Sequence, residues 1–468
     1  MKSRYDIAIV GAGPAGMAAA AAAAGHGASV LLLDEQSEAG GQIYRAVSRQ
    51  NFKDRNILGS DYYEGLDLVS ELASSGAEHV TGATVWQVSP EREIGVSKDG
   101  TARMVTAGQV ILATGAQERP FPVPGWTLPG VMTAGGAQSV LKSSALAAPD
   151  AVFAGSGPLL YLVAYQYMKA GIPVRAILDT TPRANALRAL PHLPAALRSI
   201  GALMKGRRWI ASLRAAGIPF IKHIEDLKLT GTDCVTGVEY RRGKRWRKID
   251  AAQVFLHQGV VPDVNLAMAA GCAHRWSAAQ LCWHAETDAW GETDIPGIAI
   301  AGDGAAIGGA LAAEYLGRIA AHGALHRCGC LGRAERDSLA APFRRALAGE
   351  MRLRPFLDAL FRPPRRLRIP QGDATIVCRC EEVPAALIRE SVALGCLGPN
   401  QLKSFSRCGM GPCQGRFCGL TVSEMIAEAR GVGVAEVGAL RLRPPVKPLM
   451  LEELAALAVE PVSMPGKR

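Results

Sequence analysis

The chain has 468 residues, 52 of them glycine, and 49% of its residues are hydrophobic. This length and composition predict a folded protein of about three domains and exclude both a disordered chain and a small disulfide-stapled one. The formal net charge is +10, but no nucleic-acid-binding motif accompanies it, so we expect no nucleic-acid partner. The basic segments indicate solvated surface loops, or at most peripheral contact with an acidic partner or a lipid surface.

The first segment, residues 7–33, contains no Asp, Glu, Lys or Arg. Its length would suit a membrane span, but glycines and a proline interrupt it, so a strand–turn–helix–strand unit explains it better. We predict strands over residues 7–10 and 29–33, with an alanine-rich helix between them. Because the chain offers no second candidate span, we expect a soluble, cytoplasmic protein.

The turn before this helix, "GAGPAG", has the spacing of a dinucleotide-binding loop. Gly11 would make the tight turn, Gly13 would let the backbone approach a pyrophosphate, and Gly16 would let the helix pack closely on the strand. Backbone N–H groups at the helix N-terminus would hold the phosphates. Asp34, with Glu35 as a lesser candidate, stands where an acid binds ribose hydroxyls. The contact residues predicted here are Gly11, Gly13, Pro14, Ala15, Gly16, Asp34 and Glu35.

Three later motifs indicate which dinucleotide binds. They are "GGQIYR" after the second strand, "ATG" at the end of a later strand, and "GD" before a glycine-rich helix start. In this order they resemble the motifs of flavoproteins with two dinucleotide-binding domains. The resemblance implies that FAD binds and that the aspartate of "GD" holds its ribityl or phosphate end. The FAD-binding residues added in this way are Gly41, Gln42, Thr114, Gly115, Gly302 and Asp303.

Residues 151–179 repeat the strand–turn–helix–strand pattern, so we predict a second nucleotide-type domain that interrupts the FAD domain. Gly155 and Gly157 match the first two glycines and Asp179 stands at the position of a ribose acid, but Leu160 replaces the third glycine. This replacement predicts weaker phosphate binding. Two interpretations stay open. In the first, these residues bind NAD(H) or another adenine nucleotide. In the second, the fold is kept but its pocket is empty or serves an interface, such as one that shares a flavin with a partner subunit.

Cysteines concentrate near the C-terminus. Cys378 and Cys380 form a C-x-C pair, and Cys413 and Cys418 form a C-x4-C pair further along the chain. Thiolates are the ligands that iron–sulfur clusters and zinc prefer. The pattern resembles the bacterioferritin-associated-ferredoxin type of [2Fe–2S] domain, although that family has C-x2-C as its second pair. The resemblance favours Cys378, Cys380, Cys413 and Cys418 as ligands. Cys408 is an alternative to Cys413 or Cys418, and structural zinc is the rival metal.

Across nearly its whole length the chain is similar to the FAD-containing α subunits of opine oxidases, hydrogen cyanide synthase (its B subunit) and D-hydroxyproline dehydrogenases. The resemblance is carried by "VGAGPAGMAA", "DEQSEAGGQIYR", "ATGAQERPFPVPGWTLPGVMTAGGAQ", "IAGDGAAIGG" and "CRCEEV…GMGPCQGRFCG". It implies a heteromeric enzyme in which a second, glycine-oxidase-like flavoprotein β subunit oxidises the substrate. A small ferredoxin-like third subunit is a further candidate partner.

The predicted function is therefore that of an electron-transferring α subunit of an amino-acid or secondary-amine dehydrogenase, with FAD and a [2Fe–2S] cluster. The alternatives are a self-sufficient NAD(P)H-dependent flavin reductase and a cluster-bearing scaffold without enzymatic activity. No convincing acid–base pair stands out, so the catalytic residues stay unknown. The predicted fold is α/β, with two Rossmann-like domains and a small helical cluster domain. The predicted boundaries are 1–117 and 256–328 for the FAD domain, 118–255 for the NAD-like domain, 329–371 for a helical linker, 372–432 for the [2Fe–2S] domain and 433–468 for a C-terminal tail.

Overall fold

The computed structural model describes residues 1–49, 52 and 54–457, and it confirms the predicted α/β fold class. Its first unit is built on a sheet of order β3-β2-β1-β6-β5-β4, in which β3, β2, β1 and β6 run parallel and β4 to β6 form an antiparallel meander. Strand β2 is entirely buried, as expected for a strand covered on both faces. The elements are β1 (Arg4–Val10), α1 (Pro14–Ala24), β2 (Val30–Leu33), α2 (Ser60–Tyr63), α3 (Gly65–Ser74), β3 (Glu78–Val80), β4 (Thr84–Val88), β5 (Glu93–Lys98) and β6 (Thr101–Leu112).

A second unit interrupts the first one after β6. It has a parallel sheet of order β11-β10-β9-β15-β8 and a separate antiparallel sheet formed by β12 to β14. The chain enters this unit through β7 and leaves it through β16, and these two strands pair with each other. The elements are β7 (Ala116–Glu118), β8 (Val131–Thr133), α4 (Ala134–Ser144), β9 (Ala151–Gly155), α5 (Pro158–Lys169), β10 (Val174–Asp179), α6 (Ala184–Ala189), α7 (Leu193–Ala196), α8 (Ile200–Ala215), β11 (Phe220–Lys222), β12 (Asp226–Gly231), β13 (Val235–Arg242), β14 (Arg245–Asp250), β15 (Val254–His257) and β16 (Val260–Pro262).

The chain then returns to the first unit, where β19 pairs with β6 in parallel. Helix α10 packs against α1 at very short range, because a Cβ atom on Gly317 would come within 2.1 Å of the Ala15 carbonyl oxygen. Small residues on both helices therefore permit this contact. The elements of this part are α9 (Asn265–Ala269), β17 (His274–Ser277), β18 (Cys282–Ala285), β19 (Ile298–Ile300), α10 (Ala310–Arg327), α11 (Arg333–Glu350), α12 (Arg354–Leu360) and α13 (Arg365–Arg368).

The C-terminal module is small and mostly helical, and its own hydrophobic core includes buried cysteine side chains. After it, the chain runs back over the first unit, where the Val446 N–H donates to the Trp86 carbonyl at 2.9 Å. Residues 458–468 of the predicted tail lie outside the described residues. Among the described residues, every helix is too short or too polar to cross a lipid bilayer. The elements are β20 (Ile376–Cys378), β21 (Val383–Pro384), α14 (Ala385–Ala393), α15 (Pro399–Ser406), α16 (Gly419–Arg430), α17 (Val434–Val437) and α18 (Leu451–Ala455).

Candidate functional site

The predicted FAD residues lie at one edge of the first sheet. Strands β2, β1, β6 and β19 are parallel neighbours, so their carboxyl ends meet at that edge. The glycine turn follows β1, Asp34 follows β2, Thr114 and Gly115 follow β6, and Gly302 follows β19. In open α/β sheets, ligands bind in the crevice outside the carboxyl ends of the strands. The fold therefore brings four separate sequence motifs to one place.

The backbone of the first turn requires glycine at positions 11 and 16 and leaves open space at position 13. Gly11 has a φ of +103°, which other residues rarely adopt. A Cβ atom on Gly16 would lie 1.7 Å from the Gly11 carbonyl oxygen, so helix α1 can start here only without a side chain. Gly13 differs, because a Cβ atom at this position would lie 3.9 Å from the nearest protein atom, the Cα of Gly41. The space beside Gly13 is thus open, as a pyrophosphate would require.

Asp34 and Glu35 have different surroundings. The Asp34 carboxylate accepts hydrogen bonds from the Ala12 N–H at 2.5 Å and from the Gln36 N–H at 2.7 Å. Burial of this group raises its pKa. Glu35 instead points toward the C-terminal segment, where it pairs with Lys447 at 2.7 Å. Asp34 is therefore the better placed of the two acids for contact with a nucleotide at the glycine turn.

The loops after β6 and β19 complete this edge. Gly115 has a φ of +70°, and a Cβ atom there would meet nothing within 4 Å, so the loop faces open space. The Asp303 carboxylate accepts the N–H groups of Gly308 and Gly309 at 2.7 and 3.0 Å. Gly309 immediately precedes helix α10. Asp303 therefore fixes the loop before helix α10, whose N-terminus lies at this edge of the sheet. The dipole of a helix favours negative charge at its N-terminus.

A buried lysine, Lys142 of helix α4, supports the loop that carries Gln42. Its ammonium group donates to the carbonyl oxygens of Gln42 and Ile43 at 3.2 and 2.7 Å. Burial, with Arg45 as a second contributor, lowers the pKa of Lys142 to about 7. No sequence motif indicated this residue.

Lys142 should make the stability of the protein depend on pH. Its pKa is lower in the folded chain than in the unfolded chain, so the unfolded chain binds more protons between the two values and stability rises with pH from about 7 to about 10.5. We expect the slope to approach about 1.4 kcal/mol per pH unit. Urea unfolding at pH 7, 8 and 9 should show this slope in the wild type and in Lys244→Met, an exposed control. It should be lost in Lys142→Met, and an unchanged slope in that variant would contradict the assignment.

The second unit keeps the turn of a nucleotide-binding fold but covers its acid. Gly155 and Gly157 have φ values of +140° and +116°. The Asp179 carboxylate is buried, and it accepts the Thr181 N–H at 2.8 Å. Burial of the Tyr161 hydroxyl, with the nearby Asp179 carboxylate as a second contributor, raises the pKa of this tyrosine. Asp179 is therefore buried and bonded to the backbone much as Asp34 is, and Leu160 is the residue that distinguishes this turn from the first.

Five cysteines converge in the C-terminal module. The sulfurs of Cys378, Cys408 and Cys418 lie within 4.8 Å of one another, and all three residues are buried. The thiols of Cys380 and Cys413 form a second interacting pair next to them. This arrangement provides five thiols, at the end of β20, in the loops after β20 and α15, and immediately before α16. Their soft sulfur donors suit iron–sulfur chemistry or zinc.

The backbone around the thiols also suits a cluster. A Cβ atom on Gly411 would lie 2.3 Å from the Cβ of Cys380, so this loop can approach the cysteine only as glycine. Hydrogen bonds from the Cys408 and Cys418 thiols, with smaller contributions from the N–H groups of Gly409 and Glu381, lower the pKa of Cys378 to about 2. N–H groups directed at sulfur are typical of iron–sulfur sites and help to set their potentials. The residues present therefore fit such a cluster.

The positions of the thiols narrow the open question about Cys408. Its sulfur lies 4.0 Å from that of Cys418, whereas Cys413 contacts Cys380. Cys408 thus competes with Cys418, and not with Cys413, for a place in a four-thiol set. Cys396 lies apart, and its thiol donates to the Gly398 carbonyl at 3.3 Å.

The cysteine loop is attached directly to the segment that supports the loop after β6. The Asn265 side-chain amide donates to the carbonyl oxygens of Cys413 and Gln414 at 3.5 and 3.1 Å. Two residues earlier, the Asp263 carbonyl accepts the Thr114 hydroxyl at 2.8 Å, and the Asp263 N–H donates to the Gly115 carbonyl at 2.9 Å. Sequence reasoning missed Asp263 and Asn265, because "PDVN" matches no binding motif.

This sheet edge and its four motifs define an FAD-dependent oxidoreductase with two dinucleotide-binding units. The family described as "Pyridine nucleotide-disulphide oxidoreductase" matches residues 5–322. The family described as "Sarcosine oxidase A3 domain" matches residues 374–458, which include the cysteine module.

Comparison with known proteins identifies the family of oxidoreductases to which the chain belongs. The chain is 45% identical over 470 residues to an opine oxidase subunit of Agrobacterium tumefaciens, covering 97% of this chain and 92% of that protein. It is 32% identical over 465 residues to the hydrogen cyanide synthase subunit HcnB of Pseudomonas aeruginosa, covering 97% and 98%. The chain belongs to the family of these opine oxidase flavoprotein subunits. The crystal structure of L-proline dehydrogenase from P. horikoshii shares its fold, with a TM-score of 0.69, 20% identity and coverage of 96% of this chain and 79% of that one.

Proposed function

We propose that this chain is the electron-transferring subunit of a heteromeric flavin-dependent amine dehydrogenase or oxidase. FAD would occupy the crevice at the first sheet, and a [2Fe–2S] cluster would occupy the cysteine module. The observation that carries the proposal is the hydrogen-bonded connection between the Cys413 loop and the Thr114–Gly115 loop through residues 263–265. This connection joins the two sites at which redox groups would bind.

Each group would be held by residues described above. FAD would contact the glycine turn, Asp34, the Gly41–Gln42 loop, Thr114, Gly115, Gly302 and Asp303, and the cluster would be held by Cys378, Cys380, Cys413 and Cys418. When bound, FAD supplies two-electron redox chemistry and the cluster supplies a one-electron relay. The chain's own part is to orient both groups. Asp303 fixes the loop before α10, and the cysteine loops exclude water from the buried thiols.

Amine oxidation itself is assigned to a partner. Three histidines could have served as bases, but each is buried or engaged. Burial lowers the pKa of His284 and of His322 to about 4. The His257 ring lies 2.6 Å from the Glu118 carboxylate and packs against Gly157 of the second glycine turn. The relatives are named as subunits of opine oxidase and hydrogen cyanide synthase, which supports an opine-like or related secondary-amine substrate and a second flavoprotein subunit.

The substrate assignment is tested by co-expressing the chain with its candidate partner, a glycine-oxidase-like flavoprotein β subunit from the same genome. We expect the two chains to co-purify and the complex to oxidise opine-like or proline-like amines in a dye-linked assay. The isolated chain should be inactive in the same assay. Full turnover by the isolated chain, or failure of any second subunit to co-purify, would overturn the proposal.

The second nucleotide fold should not make the chain an NADH-dependent reductase. Leu160 replaces the third glycine, and the buried Tyr161 lies close to Asp179. We therefore expect micromolar NADH to leave the flavin oxidised in an anaerobic stopped-flow experiment. Dithionite, the positive control, should reduce it fully. Rapid stoichiometric reduction by NADH would instead favour the self-sufficient reductase.

A further inference from the structure

One short segment, residues 263–265, contacts both candidate redox sites, and we call it the bridge segment. Its first residue, Asp263, is bonded through its backbone to Thr114 and Gly115, which belong to the predicted FAD site. Its last residue, Asn265, is bonded through its side chain to the carbonyl oxygen of Cys413. The bonded residue in the FAD site, Thr114, lies 149 positions before the bridge segment and Cys413 lies 148 positions after it. The bridge segment therefore joins two loops that are distant in the chain.

The bridge segment is held rigidly. Asn265 is buried and begins helix α9, and its N–H donates to the Asp263 carboxylate at 3.3 Å. The same carboxylate lies 3.6 Å from the Arg416 guanidinium in the cysteine loop. A second connection runs in parallel, because the Gln117 side-chain amide donates to the Arg416 carbonyl at 2.8 Å. Two sets of polar contacts therefore connect the cysteine loop with the chain that follows β6.

From this geometry we infer that the bridge segment couples the two sites energetically, so that occupancy of the cysteine site raises the affinity of the crevice for FAD. The inference rests on the proposed function. A metal cluster would fix the Cys413 loop, and with it the carbonyl groups that Asn265 binds. Asn265 would then hold Asp263 in the position that orders Thr114 and Gly115. Coupling between sites is reciprocal, so bound FAD would stabilise the loaded cysteine loop to the same extent.

Asn265 is a positioning residue in this scheme, because it acts through the two loops and not on the reacting atoms of either cofactor. Its substitution by leucine keeps the size of the side chain and removes both of its hydrogen bonds to the cysteine loop. A matched control is Trp126→Phe. The Trp126 indole N–H donates to the Ile376 carbonyl at 2.7 Å, which also ties the cysteine module to the rest of the chain. That bond leads to the second unit and not to the FAD loop.

The test measures the dissociation constant of FAD by flavin fluorescence, for cluster-loaded protein and for protein freed of its cluster by iron chelation. In the wild type we expect loss of the cluster to weaken FAD binding about fivefold or more, the lower end of typical coupling between sites. Trp126→Phe should keep this ratio. Asn265→Leu should lower this ratio clearly while both groups still bind, and the part that remains should be carried by the parallel Gln117 connection. If Asn265→Leu does not fold, Gln117→Leu, which breaks the parallel connection, should reduce the ratio.

The outcomes separate this inference from the proposed function. A wild type that carries both groups but shows no effect of the cluster on FAD affinity would overturn the inference alone. The same holds if Asn265→Leu and Gln117→Leu keep the full ratio, or if Trp126→Phe loses it. Protein that never acquires iron and sulfide would overturn the proposed function and, with it, the coupling.

Discussion

Replacing Gly13 with alanine is expected to weaken FAD binding strongly while leaving the apoprotein as stable as the wild type. A Cβ atom at this position meets no protein atom closer than 3.9 Å, so the folded chain accepts it. It would, however, occupy the space that the backbone leaves for the pyrophosphate. We expect the affinity for FAD to fall by about two orders of magnitude or more, which corresponds to about 3 kcal/mol.

Alanine substitutions at two other glycines serve as comparisons for the Gly13→Ala variant. Gly16→Ala should destabilise the apoprotein itself by about 4 kcal/mol or more, because its Cβ atom would lie 1.7 Å from a backbone oxygen. Gly332→Ala is the neutral control. Gly332 precedes helix α11 as Gly13 precedes α1, and its Cβ atom would meet nothing within 4 Å. Flavin absorbance and urea unfolding of the three variants check the pattern. Full flavin content in Gly13→Ala would show that the pyrophosphate does not lie here.

Replacing Cys413 with serine is expected to remove the cluster. Cys413 contacts Cys380, and these two thiols form one side of the proposed four-thiol set. Wild-type protein should contain about two iron and two acid-labile sulfide ions per chain, as a [2Fe–2S] cluster requires. Cys413→Ser should contain neither, because Cys380 would then be the single thiol on this side of the set.

Cys408→Ser is the matched control, because this residue is buried and lies in the same group of thiols. It should keep its iron and sulfide if Cys418 is the fourth ligand. If Cys408→Ser loses the cluster and Cys418→Ser keeps it, the fourth ligand is Cys408. Zinc without sulfide in the wild type would remove the redox role altogether.

The first unit could be predicted in detail because its signals are local. The glycine turn, the helix after it and the acid after β2 follow one another within about 30 residues, and each has a steric or electrostatic reason visible in the sequence. The predicted strand over residues 7–10 is longer in the structure, where β1 begins at Arg4. Strand ends depend on pairing with β6, which lies far away in the chain.

Contacts between distant segments were not predictable in this way. Asn265 and Gln117 act through side-chain amides on backbone carbonyls more than 140 residues away, and no spacing rule marks such pairs. Lys142 looks like an ordinary helix residue in the sequence, because the Gln42 loop approaches its ammonium group only in the folded chain. The position of Cys408 was not predictable for a related reason. Spacing along the chain does not reveal that the turn after α15 returns its thiol to Cys418.

The central claim is that electrons from an amine reach the cysteine module through this chain. The most direct test is anaerobic titration of the purified two-subunit complex with its amine substrate, followed by electron paramagnetic resonance. The account predicts a rhombic signal of a reduced [2Fe–2S] cluster that appears with substrate and is absent from a complex made with Cys413→Ser. A complex whose flavin is fully reduced by substrate while the wild-type cluster stays oxidised and silent would contradict it.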